Sequence, residues 1–243
     1  MGVAAALIAG SLCFSPSAHA VTVLDLTTAA SSGFINGAFF LQTDLDHNAT
    51  GTGVIDPFVR IQRSVSEQGY NTDGRPTFYN EKSDPHTHSI QLKDVPTLTI
   101  NSIVYREFLL DIDQNNNSPL LSLDELQIFL KNTGDIKTNL ASLGIPIFDL
   151  DGAGEAYVKM NYNLNPGNGK GDMFAYIPNS LFTGSDEQYV YLYSQFGLNY
   201  ASNAGFEEWS IRRGAPIPEP SSLSLLGVGL LGFFRRKKKT RDT

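Results

Sequence analysis

The sequence is almost free of cysteine. Its one cysteine in 243 residues is Cys13, which lies in a short apolar segment near the first residue. The chain beyond that segment can therefore form no internal disulfide and offers no thiol nucleophile. The sequence also lacks a Gly-x-Ser-x-Gly elbow, which excludes the serine hydrolases that depend on this turn.

Positive charge is scarce outside one stretch. Six of the 18 basic residues and two of the 25 acidic residues follow residue 214. Residues 21–214 thus hold 12 basic and 23 acidic residues, a formal charge of −11. Such a charge repels phosphates and anionic lipids, so we expect no nucleic-acid partner. It is compatible with cations and with neutral glycans.

Length and composition indicate one folded domain. The chain is 41% hydrophobic and only 18% charged, which argues against disorder. Residues 21–214, about 190 residues, are enough to bury the core of one domain. We expect this domain to lie between two targeting segments.

The first 20 residues are typical of an export signal. Residues Val3–Phe14 are apolar, and Ala18-His19-Ala20 places small residues at the two positions that a signal peptidase pocket accepts. We therefore predict a signal peptide at residues 1–20, with cleavage by signal peptidase after Ala20.

Residues 215–243 combine three features in a fixed order. Pro218-Glu219-Pro220 is followed by the apolar run Leu223–Phe234 and then by five basic residues, Arg235, Arg236, Lys237, Lys238 and Lys239. The run has only 12 residues, fewer than the ~20 that usually span a bilayer, so local thinning would have to help. We expect a short transmembrane helix with its basic end in the cytoplasm.

These three features resemble the PEP-CTERM sorting signal of Gram-negative bacteria that make exopolysaccharide. The resemblance implies that exosortase, a membrane-embedded cysteine transpeptidase, recognises Pro218, Glu219 and Pro220 and cuts nearby. Arg235, Arg236 and Lys237 would then begin the stop-transfer cluster. The implied location is an inner-membrane-anchored precursor, followed by the cell surface or extracellular matrix.

Residues 21–214 read as many short strands separated by turn residues. This spacing, without a long 3.6-residue period, predicts a mostly β fold: an antiparallel, jelly-roll-like β-sandwich. Asn36-Gly37 and Asn101-Ser102 are expected to form hairpin turns, Pro57 an edge or bulge, and Gly167–Gly171 a hairpin loop. The predicted strands are 34–42, 54–62, 89–93, 98–100, 103–113, 126–130, 156–164, 173–177, 189–193 and 208–212.

Parts of this domain are similar to a set of PEP-CTERM proteins of uncharacterised function. The matching segments are Gly51–Phe58, Tyr105–Gln114, Gly171–Phe174 and Phe206–Trp209. The similarity implies that the domain is a unit and implies no activity.

The best metal candidate is the segment that starts at Asp111. A Ca²⁺ loop requires oxygen ligands at alternate positions, here Asp111, Asp113, Asn115 and Asn117, with Glu125 reaching from further on. The pattern lacks the glycine at its sixth position and the glutamate at its twelfth. Ser122-Leu123-Asp124-Glu125 has the spacing of a capping box, which would close a helical turn. Calcium and a plain Asn-rich loop stay open here, with the loop favoured.

Other polar groups are weaker candidates. Asp149, Asp151 and Glu155 favour a turn over a metal site. The imidazoles of His86 and His88 could hold Zn²⁺, with His47, Asp44 and Asp46 as conceivable further ligands, although a solvated loop is favoured. Tyrosines at 189, 191 and 193 lie on one strand face and favour core positions over a sugar-stacking surface.

The sequence therefore predicts a non-enzymatic protein of the envelope or matrix, sorted by exosortase and associated with exopolysaccharide. No cofactor is expected, apart from the calcium alternative. The rival hypotheses are a calcium-dependent carbohydrate-binding module and a secreted glycan-active enzyme.

Overall fold

The computed structural model describes residues 20–43, 55–75, 86–167 and 169–212. Within these residues the chain forms 14 β-strands and no α-helix. Short 3₁₀ turns occupy Leu92–Asp94, Leu140–Leu143, Tyr162–Leu164 and Asn179–Leu181. The strands are β1 (Thr22–Asp25), β2 (Ser32–Ile35), β3 (Ala38–Gln42), β4 (Ile55–Ile61), β5 (Glu67–Tyr70), β6 (Ile90–Gln91), β7 (Thr97–Ile100), β8 (Ile103–Asp111), β9 (Leu120–Lys131), β10 (Phe148–Asp149), β11 (Ala156–Asn161), β12 (Met173–Pro178), β13 (Tyr189–Phe196) and β14 (Glu207–Arg212).

The strands form two sheets of seven. The first sheet has the order β1-β11-β9-β13-β5, with β10 paired to β9 and β6 paired to β13. The second sheet has the order β2-β3-β12-β8-β14-β4, with β7 paired to β8. Every pair of strands is antiparallel except β1 with β11, which is parallel. The prediction of a mostly β, antiparallel-rich fold is confirmed.

One hydrophobic core draws on both sheets. Alternation along β11 buries Ala156, Val158 and Met160, the pattern expected when one face of a strand is covered. Phe108 of the second sheet belongs to the same buried cluster. Between the sheets, the fully buried indole of Trp209 donates a hydrogen bond to Ser194 Oγ at 3.0 Å. This bond gives the indole N–H a partner away from water.

Both predicted hairpin turns are confirmed. Asn36-Gly37 joins β2 to β3, and Asn101-Ser102 joins β7 to β8. All four residues have positive φ (46°, 83°, 49° and 67°), the conformation that two-residue hairpins favour because it matches strand twist. Ser102 adopts this conformation without the freedom of glycine.

The prediction for Pro57 is also confirmed. β4 is the last strand of its sheet, so a residue without an N–H costs little there. The pairing with β14 shifts between Trp209 and Ser210: Trp209 lies opposite Val59, and Ser210 lies opposite Pro57. The extra residue is Phe58, whose side chain is fully buried.

Two local predictions are wrong. Gly167–Gly171 is no hairpin loop, because β11 before it belongs to the first sheet and β12 after it to the second. Ser122–Glu125 closes no helical turn, because these residues lie inside the long strand β9. In both places tertiary pairing overrides the local pattern.

The targeting segments lie largely outside the described residues. Ala20 is the first described residue and is exposed. Ala18, Pro218, Glu219, Pro220, the apolar run and the basic cluster with Arg235, Arg236 and Lys237 are outside the described ranges. In the ranges that the structure describes, no helix has the length and apolar character needed to cross a membrane.

Candidate functional site

Asp111, the first predicted calcium ligand, holds the connection between β11 and β12. Its carboxylate accepts the backbone N–H groups of Gly169 (2.6 Å), Lys170 (3.3 Å) and Gly171 (2.9 Å). Burial raises the pKa of Asp111, and these three hydrogen bonds oppose the shift. Both carboxylate oxygens of Asp111 are therefore already hydrogen-bonded to the backbone of this connection.

Asp113 lies close to Asp111 but has other neighbours. Its side chain is hydrogen-bonded to the Tyr162 hydroxyl, whose pKa is raised chiefly by burial. Asp113 also lies directly against Gly205: a Cβ at position 205 would come within 2.0 Å of Asp113 Oδ2. Gly205 has φ of +59° as well, so contact and backbone together require glycine there.

Glu125 lies in the other sheet. Burial raises its pKa, and the negative charges of Asp151 and Asp149 add to the effect. The structure thus groups Glu125 with the acidic turn and not with Asp111. Within the described ranges, no three side chains of the His, Cys, Asp or Glu type are arranged to hold a metal ion. The calcium site stays a prediction.

The two histidines are placed only in part by the structure. His88 is half-buried, and its Nδ1 lies 3.2 Å from the carbonyl oxygen of His86, which is exposed. The conceivable further ligands of the zinc group, His47, Asp44 and Asp46, lie outside the described ranges. The zinc hypothesis likewise stays a prediction.

Two of the three tyrosines of β13 belong to the interior, as predicted, and the third, Tyr189, is half-buried against them. Tyr191 and Tyr193 are 0% and 3% exposed and pack with Tyr70 and Phe129. Burial raises the pKa of Tyr191 to about 12. On the second sheet, the rings of Phe174 and Tyr176 are stacked at 5.5 Å, yet each is only 5% exposed. Neither group offers an exposed row of rings.

An open cleft of about 510 Å³ lies beside the Asn-rich loop. One wall is the end of that loop with the start of β9, and the other wall follows β13. None of the described residues that line the cleft is charged. The lining residues are Asn117, Ser118, Pro119, Leu120, Tyr200, Ala201 and Asn203.

Asp124 builds the wall that carries Tyr200. Its carboxylate accepts the N–H of Leu198 (2.7 Å), the side-chain amide of Asn199 (2.8 Å) and the hydroxyl of Ser122 (2.8 Å). The backbone N–H of Tyr200 donates to Ser122 Oγ at 2.9 Å. Two side chains of β9 therefore fix the turn that presents Tyr200 to the cleft.

Asn203 ties the two walls together. Its Oδ1 accepts the N–H of Asn115 (2.8 Å), and its Nδ2 donates to the carbonyl of Ser118 (2.8 Å). The amide of Asn117, by contrast, is exposed and has no hydrogen-bond partner within the described ranges. Of the predicted calcium ligands, Asn115 supports the cleft and Asn117 faces it.

Sequence reasoning did not find Tyr200 or Asn203. Their segment carries no motif, and it reaches the Asn-rich loop because β13 pairs with β9. The one sequence signal for this place was the run of asparagines from Asn115.

Comparison with known proteins gives one match. Residues 216–239 match the family described as the PEP-CTERM protein-sorting motif, as the resemblance of these residues predicted. No curated protein and no solved structure matches the chain. The motif supports exosortase-dependent sorting of an exported, membrane-anchored precursor. The chain therefore carries, at residues 216–239, a PEP-CTERM protein-sorting motif.

Proposed function

We propose that this chain is a non-enzymatic protein of the cell envelope or extracellular matrix that exosortase cuts near Pro218–Pro220. The match at residues 216–239 carries the proposal. Prolines disfavour helix, which would favour recognition of this element by a protease on the outer side of the membrane. A signal peptide at 1–20 would start the export, and the apolar run with its basic end would hold the precursor in the inner membrane.

For the domain itself we propose a two-sheet sandwich without catalysis. The shared core and the bond from Trp209 to Ser194 support the sandwich. A structural role is supported by Asp111 and Asp124, whose carboxylates accept hydrogen bonds from backbone N–H groups. A glycan-active enzyme would instead need two carboxyl groups facing a sugar about 5–9.5 Å apart.

The sorting proposal predicts a change in mass. We expect the wild-type protein to lose its C-terminal tail in cells that have exosortase and to keep it in cells that lack the enzyme. Replacing Pro218, Glu219 and Pro220 together by alanine should leave the tail attached in both strains. The measurement is the intact mass of the protein from fractionated membranes and medium.

The matched control for this experiment is Glu187→Ala, which removes one carboxylate from a side chain that is 69% exposed. This variant should be processed like wild type. Sorting by exosortase would be ruled out if the wild-type tail were absent, or present, in both strains alike.

A second candidate function is the binding of a neutral glycan in the cleft. Its lining combines the ring of Tyr200 and the amide of Asn117 with no charge. Sugars present hydroxyl groups to amides and C–H surfaces to rings, so this lining suits an uncharged sugar. The protein would then bind exopolysaccharide at this cleft.

This proposal predicts that Asn117→Ala and Tyr200→Ala each weaken binding of neutral polysaccharide from the same bacterium by about tenfold, roughly the effect of losing one good contact. Isothermal titration calorimetry measures the affinity. Asn132→Ala, an exposed asparagine at the opposite end of β9, serves as the matched control and should bind like wild type.

Added Ca²⁺ and chelator form a further arm of the same titration. An affinity that depends on Ca²⁺ and falls in Asp111→Asn would favour the calcium-dependent module. Equal binding by Asn117→Ala, Tyr200→Ala and wild type would exclude the cleft.

A further inference from the structure

Two glutamate side chains meet between the two sheets. Glu67 begins β5 in the first sheet, and Glu207 begins β14 in the second. They are 1% and 0% exposed. The two carboxyl groups lie within hydrogen-bonding reach of each other, one from each sheet.

Each carboxyl group has a donor that holds one of its oxygens, and Glu67 also has the Ser202 hydroxyl as a hydrogen-bond partner. The backbone N–H of Arg63 donates to Glu67 Oε2 at 2.6 Å, and Gln114 Nε2 donates to Glu207 Oε1 at 3.1 Å. The other two oxygens, Glu67 Oε1 and Glu207 Oε2, are fully buried and receive no N–H or O–H donor from the described residues. Ionised carboxylate oxygens only accept, so two of them form a hydrogen bond only when a proton lies between them.

We propose that Glu67 and Glu207 bind one proton between them, which joins the two sheets through a carboxylic acid–carboxylate hydrogen bond. The pair then carries one negative charge instead of two. A hydrogen bond of this kind, O–H to O⁻, is short and strong. The proton belongs to the pair and not to either residue, as in other carboxyl dyads.

The surroundings of the pair agree with a bound proton. Burial raises the pKa of both groups, most of all that of Glu207, and the charge of Asp113 adds to the effect on Glu207. The other groups that face the pair are the side chains of Gln114 and Ser202 and the backbone N–H of Arg63. Ionising both carboxyl groups would place two negative charges next to each other in the interior.

The orientation of Gln114 makes the proposal specific. Gln114 Oε1 accepts the backbone N–H of Asn203 at 3.2 Å, so its amide nitrogen must face Glu207. Glu67 Oε2 and Glu207 Oε1 are likewise fixed as acceptors by their donors. An amide NH₂ group in place of Glu67 Oε1 or of Glu207 Oε2 would therefore supply the missing hydrogen. With NH₂ groups at both of these positions, two donors would face each other.

The test compares Glu67→Gln, Glu207→Gln and the double variant. Since the pKa of each glutamate is raised in the folded state, its stabilising contribution is complete below the ordinary glutamate pKa of about 4.3 and is lost as the pH rises through the raised value. For purified full-length wild type in detergent, we expect Tm to fall by about 5 °C through this pair between acidic and alkaline pH. Each single variant should lack this part of the fall.

The double variant should behave unlike the sum of the two single variants. Both single variants should fold, because one glutamine can donate to the remaining carboxylate. In the double variant two NH₂ groups meet without an acceptor, so Tm should drop below both single variants at either pH. Glu187→Gln, an exposed carboxylate with the same change of charge, is the control and should follow wild type.

Three results would overturn the proposal. The first is a pH dependence of Tm in both single variants equal to that of wild type. The second is a double variant as stable as the single ones. The third is failure of both single variants to fold at any pH, because a shared proton requires that one glutamine be tolerated. An infrared band of a protonated carboxyl in ¹³C-glutamate-labelled wild type, lost in both single variants, should accompany the expected result.

Discussion

Asp124 and Asp172 are equally buried and yet are held in opposite ways. They are 5% and 4% exposed. Asp124 accepts hydrogen bonds from Ser122, Leu198 and Asn199 on both of its oxygens. Asp172 accepts one N–H, from Ile112 at 2.8 Å, and its other oxygen has no partner within the described ranges.

This difference teaches how an acidic domain buries its carboxyl groups. Where several donors converge, as at Asp124, both carboxylate oxygens have hydrogen-bond partners. Where donors are missing, the neutral form is favoured: burial raises the pKa of Asp172 well above its ordinary value, and the charge of Asp111 raises it further. The proposed Glu67–Glu207 pair is a third case, in which two buried carboxyl groups lie next to each other and share one proton.

The largest effect is expected at Asp124. Asp124→Asn keeps the shape of the side chain but replaces one carboxylate oxygen by an NH₂ group. That NH₂ group would face the donors of Ser122, Leu198 and Asn199. We expect a loss of about 2–4 kcal/mol in the free energy of unfolding, because buried groups are left without partners. Urea unfolding at neutral pH measures it, with Asp186→Asn, at a side chain that is 76% exposed, as control.

A much smaller effect is expected at Asp172. Asp172→Asn removes a carboxyl group whose ionised form is disfavoured by burial, so the free energy of unfolding should change by less than about 1 kcal/mol at neutral pH. Since the raised pKa makes wild type lose stability as the pH rises, the variant should become the more stable protein in alkali. Urea unfolding over a pH series measures both effects. The comparison would fail if Asp172→Asn cost as much as Asp124→Asn.

Much of the fold could be predicted from local residues. Asn36-Gly37 and Asn101-Ser102 determine their hairpins because positive φ is a property of the turn itself. The strands β1, β5 and β10 were missed. β5, with the sequence Glu-Gln-Gly-Tyr, has no apolar alternation, and it forms because β13 offers a partner more than 100 residues later.

The cleft was foreseen only as a run of asparagines. The spacing of Asp111, Asp113, Asn115 and Asn117 suggested one ion-binding loop, but the structure gives these residues separate partners. Asp111 faces the Gly169–Gly171 backbone, and Asn115 faces Asn203. One strand pattern cannot predict such partners, because they come from segments 58 to 88 residues away.

The sequence by itself determined the sorting motif at 216–239, because such a motif is read along the chain by another protein and needs no partner within its own fold. It also determined the β-rich composition and the tight turns. The tertiary structure alone decided which carboxyl groups are supplied with donors and which must keep a proton. Strand pairing between distant segments brings those donors to each carboxyl group. Because a buried carboxyl group has no water to bond, the number of these donors determines how strongly its ionised form is disfavoured.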